Sequence, residues 1–295
     1  MKLSTPELIL DARAFLGEGP AWDAAQGRLT WVDIVAGHLH IFQPESGADR
    51  VIGLGQALGC AAPARDGKLI LGLKEGLALL DPSSEELTYL ARPESHLPGN
   101  RINDGKCGPD GRFLVGSMDN AEVEASGSLY SLSPDGALKT LLGGLRISNG
   151  LAWSPDHTTL YFIDTPTRQV LAYDYDLGSG DIANPRVAVN VPAALGWPDG
   201  MTSDAGGRLW VALWGGAALT VWDPANGALL EKIELPAKNI TSCAFGGAQL
   251  DELYVSSARK GLDAADLSAY PASGGLFRMR AGQTGLPTFV FGQAA

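Results

Sequence analysis

The chain has 295 residues, 45% of them hydrophobic, and its 33 acidic against 22 basic side chains leave a formal net charge of -11. An acidic chain without a basic block repels phosphate backbones, which argues against sequence-independent binding of nucleic acid. The 38 glycines are nearly twice the usual share of about 7% and lack the strict period of collagen, so a packed core cut by tight turns is expected.

Between Met1 and Asp11 the only apolar run is Leu8–Leu10. It is too short for a signal-peptide core or a membrane span, so a cytoplasmic location without a membrane partner is expected. Cys60, Cys107 and Cys243 lie far apart and form no Cys-x-x-Cys pair, which reads as three reduced, buried thiols.

From residue 18 onward one phrase recurs, with a small or polar opening, an alternating apolar stretch, a turn and a strongly apolar run. It begins at Glu18, Gly59, Asn103, Asn149, Asp199 and Ser242. The apolar runs are anchored at Leu29, Leu69, Phe113, Leu160, Leu209 and Leu253, in steps of 40, 44, 47, 49 and 44 residues. A second alternating phrase follows each copy, from His38–Phe42 to Gly275–Met279. Short period-2 runs bounded by Gly, Pro, Asp and Asn are strands joined by hairpins. Four such strands repeated six times predict an all-β, six-bladed β-propeller spanning residues 1–295 as a single domain. Glu7–Leu10 and Thr288–Phe291 are the candidate strands for closing the ring. Two β-sandwich domains would need a central linker, and the sequence offers none.

In a propeller the innermost strand of each blade lines a central channel, with its opening residue at the channel mouth. The repeats therefore converge Glu18, Asn103 with Asp104, Asn149 and Asp199 on one small volume. Carboxylate and amide oxygens are hard ligands suited to Ca²⁺, Mg²⁺ or Mn²⁺. Two carboxylates packed together without a cation would repel, raising one pKa. The competing reading takes Asn149-Gly150 and Asp199-Gly200 as ordinary turn dipeptides. Other patterns fail. Gly53–Gly59 is no dinucleotide fingerprint, Asp174–Asp181 lacks the closing Glu of a calcium loop, and no Gly-x-Ser-x-Gly elbow accompanies the four histidines.

Leu16-Gly-Glu-Gly-Pro-Ala-Trp22, Arg101-Ile-Asn-Asp-Gly-Lys106, Ser148-Asn-Gly-Leu-Ala-Trp-Ser154, Pro198-Asp-Gly-Met201 and Leu213-Trp-Gly-Gly216 resemble the SMP-30/gluconolactonase/regucalcin family. Ala258-Arg-Lys-Gly-Leu262 resembles its bacterial sugar lactonases, and the likeness runs from about residue 8 to 290. The resemblance implies one divalent metal held by Glu18, Asn149 and Asp199. Ca²⁺ leads among candidates that include Zn²⁺, Mg²⁺, Mn²⁺ and Fe²⁺. It also implies that Arg101 and Asn103 hold sugar hydroxyls. Where related animal enzymes carry an acidic contact after Gly116-Ser-Met118, this chain reads Asp119-Asn120-Ala121-Glu122, so Asp119, Asn120 or Glu122 is expected to substitute.

The expected activity is hydrolysis of a sugar lactone to the open acid, a carboxylic-ester hydrolysis. The substrate is a glucono- or pentonolactone, and Asp199 serves as general base or as ligand only. Trp197 and Trp214 are expected to wall the pocket, Trp22 and Trp153 to fill core, and 119–127 to form either a loop over the site or an ordinary hairpin connection. The alternatives are a calcium-dependent phosphotriesterase-like hydrolase and a non-catalytic calcium-binding regulatory propeller. A monomer or weak dimer is expected.

Overall fold

The computed structural model describes residues 3–295. Among them the strands form six four-stranded antiparallel sheets, the blades of a β-propeller. Blades 1 to 5 take consecutive strands within residues 17–53, 58–91, 100–145, 148–190 and 197–234. Blade 6 combines Asn239–Gly246, Glu252–Ala258 and Leu276–Arg280 with the N-terminal strand Glu7–Leu10, which pairs with Leu276–Arg280 as the outermost strand. Joining the start of the chain to its last blade closes the ring, leaving no blade face without a neighbour.

The repeat is physical as well as textual. Each anchor from Leu29 to Leu253 falls on the second strand of its blade and is fully buried. The buried residues divide into six apolar clusters, one for each seam between neighbouring blades. A four-stranded blade cannot bury both faces alone, so stability comes from these seams. Trp22 stacks on Tyr254 between blades 1 and 6, with ring centroids 5.8 Å apart. Trp153 sits in the seam of blades 3 and 4. Both match the core role expected of them. All three cysteines are free and buried, and burial pushes the Cys243 thiol up to about 12.

Thr288–Phe291 is not a blade strand, contrary to expectation. The C-terminal segment instead crosses the end of the channel opposite Glu18 and Asp199. Ala205 N–H donates to Thr284 O at 2.9 Å, Gly285 N–H to Leu250 O at 2.7 Å, and Phe291 N–H to Pro63 O at 2.9 Å. Gly292 N–H donates to Gly111 O at 2.9 Å, and Phe289 meets Trp153 edge-on at 6.0 Å. The segment thus ties hairpins of five blades together, and these isolated contacts carry no strand periodicity for a sequence to display. Between it and the mouth lies a cavity of about 60 Å³ bordered by Asp104, Lys106, Trp153 and Phe289. A six-residue helix, Ala264–Ala269, also went unforeseen; Asp263 caps it by accepting from Asp266 N–H at 2.8 Å. Among the described residues no helix is long and apolar enough to cross a membrane.

Candidate functional site

Asn149-Gly150 and Asp199-Gly200 are not turns. They lie within the inner strands Ser148–Trp153 and Trp197–Ser203. Every inner strand slips register against its neighbour near this level, between Glu18/Ala21, Leu58/Cys60, Ile102/Gly105, Asn149/Leu151, Pro198/Met201 and Ile240/Ser242. A β-bulge bends its strand and re-aims a side chain, and six of them at one level direct the opening residues to the axis. Glycine after the polar residue lets adjacent strands approach. A Cβ on Gly200 would lie 2.2 Å from Ser242 Oγ. Blade 2 contributes no side chain, because a Cβ on Gly59 would lie 2.5 Å from the Asn103 carbonyl oxygen.

Glu18, Asn103, Asp104, Asn149, Asp199 and Arg101 are all buried at this level. A hydrogen-bond chain runs through them with a fixed direction. Arg101 Nη1 donates to Asn103 Oδ1 at 2.6 Å and to Ile102 O at 3.1 Å. Asn103 Nδ2 donates to Asn149 Oδ1 at 2.7 Å and to Ser148 O at 2.8 Å. Asn149 Nδ2 donates to Thr165 Oγ1 at 2.7 Å, and Thr165 donates to Pro198 O at 2.8 Å. A guanidinium only donates and a carbonyl only accepts, so the two ends orient both amides between them. Thr165, on the turn Thr165–Thr167 after the second strand of blade 4, was missed in the sequence. Its one signal is that this strand ends at the mouth.

The electrostatics are strained. Burial raises the Glu18 carboxyl to about 8, with the Asp104 charge adding to the shift. Asp199 is pushed well above the usual carboxylate range by burial, then by the charges of Glu18 and Asp104. Burial also raises Asp104, and it lowers Arg101 and Lys106. Three buried carboxylates are therefore accompanied by one buried base, Arg101, and the half-buried Lys106. Glu18 Oε2 accepts from Gly19 N–H at 2.8 Å, a partial compensation. No group of three or more His, Cys, Asp or Glu side chains is placed to hold a metal among the described residues. The donor set here is instead two carboxylates and an oriented amide oxygen. Those hard oxygens, and the mutual repulsion that a cation would relieve, fit a divalent metal.

Beside the donors opens a cavity of about 400 Å³ bordered by Arg101, Asn149 and Asp199, with Met118, Ile147, Trp197 and Trp214 as apolar wall. A second lobe, of about 430 Å³, lies on the other flank of Arg101 and includes Asn120. Asp119 borders neither lobe. Its carboxylate accepts from Ala121, Val123 and Glu124 N–H at 3.0–3.1 Å, and these bonds hold its pKa below the ordinary value. Its geometry makes it the brace of its own loop instead of a substrate contact. Of the residues after Met118, Glu122 borders the first lobe, where it pairs with Lys260 of blade 6. Arg146, in the connection between blades 3 and 4, donates from Nη2 to Val123 O at 3.3 Å, so this connection and blade 6 both hold the blade 3 loop at the cavity.

The model of the SMP-30/Gluconolactonase/LRE-like region matches residues 16–259, which takes in every donor described above. The chain belongs to this family. It is 39% identical to a putative sugar lactone lactonase of Bacillus subtilis (strain 168), over 90% of this chain and 91% of that one. It is 36% identical to regucalcin of Xenopus laevis, over 92% and 93%. The solved structure of a calcium-binding protein, regucalcin, from Agrobacterium tumefaciens str. C58 superposes with a TM-score of 0.93 at 31% identity, covering 99% of this chain and 98% of that one.

Proposed function

We propose that this family member is a metal-dependent sugar lactonase that hydrolyses an aldonolactone, such as glucono-1,5-lactone or a pentonolactone, to the aldonic acid. The observation that carries the reading is the directed chain from Arg101 to Pro198, which ends beside Asp199 and borders a cavity of small-ligand size. The sugar lactone lactonase name of the Bacillus relative supports the substrate class, and the calcium-binding description of the Agrobacterium structure supports a divalent ion.

Glu18, Asn149 and Asp199 would hold the metal through Oε, Oδ1 and Oδ oxygens. When bound there, a divalent cation supplies Lewis acidity toward a carbonyl oxygen. Arg101 orients the ring through its hydroxyls, with Asn103 holding the guanidinium in place and Asn120 beside Arg101 in the second lobe. Asp199 takes a proton from water as that water's oxygen bonds to the lactone carbonyl carbon. The ring C–O bond then breaks, and the proton returns from Asp199 to the departing ring oxygen. The bulge between Pro198 and Met201 aims the Asp199 carboxylate at the axis, beside the cavity that takes the substrate.

Acid release from glucono-1,5-lactone by metal-stripped protein tests the reading. Activity should vanish and return with Ca²⁺, Mg²⁺ or Mn²⁺. Turnover indifferent to chelation, or faster turnover of an organophosphate triester, would overturn it.

A further inference from the structure

The cavity beside Asp199 is larger and more aromatic than a single aldonolactone ring requires. At water's share of about 30 Å³ per heavy atom, a volume of about 400 Å³ takes roughly a dozen waters, and a covalent ring packs more densely than that. One six-carbon lactone therefore leaves a large part of the volume for something else.

Trp197 defines what that part is built for. It opens the inner strand of blade 5, 41% exposed, and borders the cavity. The Arg168 guanidinium covers one indole face at 3.5 Å from the ring centroid. Arg168 also donates to Gly196 O at 2.5 Å, so the indole is pinned by a side chain that is itself pinned. Trp214 stands opposite Trp197 in the strand register and borders the same cavity. The same cavity is bordered by Glu122, Arg146 and Lys260, whose donors and acceptors are planar or compact. A rigid indole for an apolar ring face, with charged hydrogen-bonding groups around its edge, is the chemistry that recognises a pyranose. An acyl chain would use the indole and leave the charged rim unused. A lone lactone held at Arg101 would leave the indole bare.

We propose that this lobe binds a second sugar ring, stacked on Trp197, and that the substrate class is the aldonolactone of a disaccharide. The inference rests on the lactonase reading and sharpens its substrate. The lactone ring lies at Arg101 and the metal donors, and the glycosidic substituent points along the Trp197 wall toward Glu122 and Lys260.

The test compares cellobiono-1,5-lactone, glucono-1,5-lactone and an N-acyl homoserine lactone with the metal-loaded enzyme. The ratio of kcat/KM for the disaccharide over the monosaccharide lactone should reach about ten, carried by KM, the order that one aromatic stacking contact supplies. In Trp197→Ala this ratio should fall about tenfold, and Trp197→Tyr should restore most of it. Tryptophan fluorescence titrated with cellobionate should shift in the wild type and lose that shift in Trp197→Ala, whether or not any lactone is turned over. Equal ratios in wild type and Trp197→Ala, or a preference for the acyl lactone, would overturn the second ring. Absence of turnover on every lactone would sink the lactonase reading, and the cellobionate titration would still decide the sugar site.

Discussion

The two ends of the central channel are made from the same six strands and carry opposite chemistry. At the mouth, Glu18, Asn103, Asn149, Asp199 and Arg101 crowd polar and charged groups into a buried ring open to two lobes. At the far end, Phe245, Trp153 and Phe289 face a cavity of about 60 Å³, and the chain's last residues lie across it. The mouth holds groups whose burial opposes their charge. The floor is walled mainly by apolar side chains and backbone, with Asp104 and Lys106 as its charged members. Stability and chemistry are thus separated along one axis, and a variant at either end should reveal which it serves.

The largest expected effect is at the mouth. Asp199→Asn should lower kcat by about three orders of magnitude, the middle of the range for a lost general base, while thermal melting stays unchanged or rises because a buried charge is gone. Steady-state kinetics beside calorimetry checks both halves. Thr165→Val should weaken metal affinity by about tenfold, because the Asn149 amide loses the partner that orients it. Thr165→Ser should retain the affinity, and isothermal titration of the metal reads the difference without any turnover. Phe289→Ala, at the floor, should cost about 2 kcal/mol in denaturant unfolding through lost contacts with Trp153 and His157. Its KM for lactone should stay at the wild-type value, and a changed KM would break the separation of the two ends. The smallest effect concerns the thiols along the channel wall. With all three buried and shifted up by burial, native protein should not react with a thiol reagent, whereas denatured protein should titrate three groups.

Much of the architecture was legible in the sequence because each blade repeats the same physical problem. The anchors Leu29 to Leu253 recur since every second strand must fill a seam, and Glu18, Asn149 and Asp199 recur since every inner strand opens at the mouth. What stayed hidden lacks that periodicity. Lys260 and Glu122 meet across 138 residues of sequence, and nothing local to either announces the other. Asp119 looked like a free acid until its loop folded back and spent both its oxygens on backbone N–H groups. Phe289 and Phe291 resembled a strand by composition, yet Phe291 bonds Pro63 and Arg65 at a turn of blade 2 while Phe289 is held through its ring by Trp153 and His157 of blade 4. Thr165 acts only through Asn149 and Pro198, a role set by packing rather than by pattern.

The six bulges have a consequence for how such a site is written. Each blade offers one addressed slot at the axis, and the backbone supplies the aim whatever side chain fills it. In this chain the slots read Glu, Gly, Asn, Asn, Asp and Ser in ring order. Changing the chemistry requires rewriting letters at fixed addresses, with no loop to rebuild. The blank at Gly59 is part of the spelling, since a letter there would collide with the strand that carries Asn103.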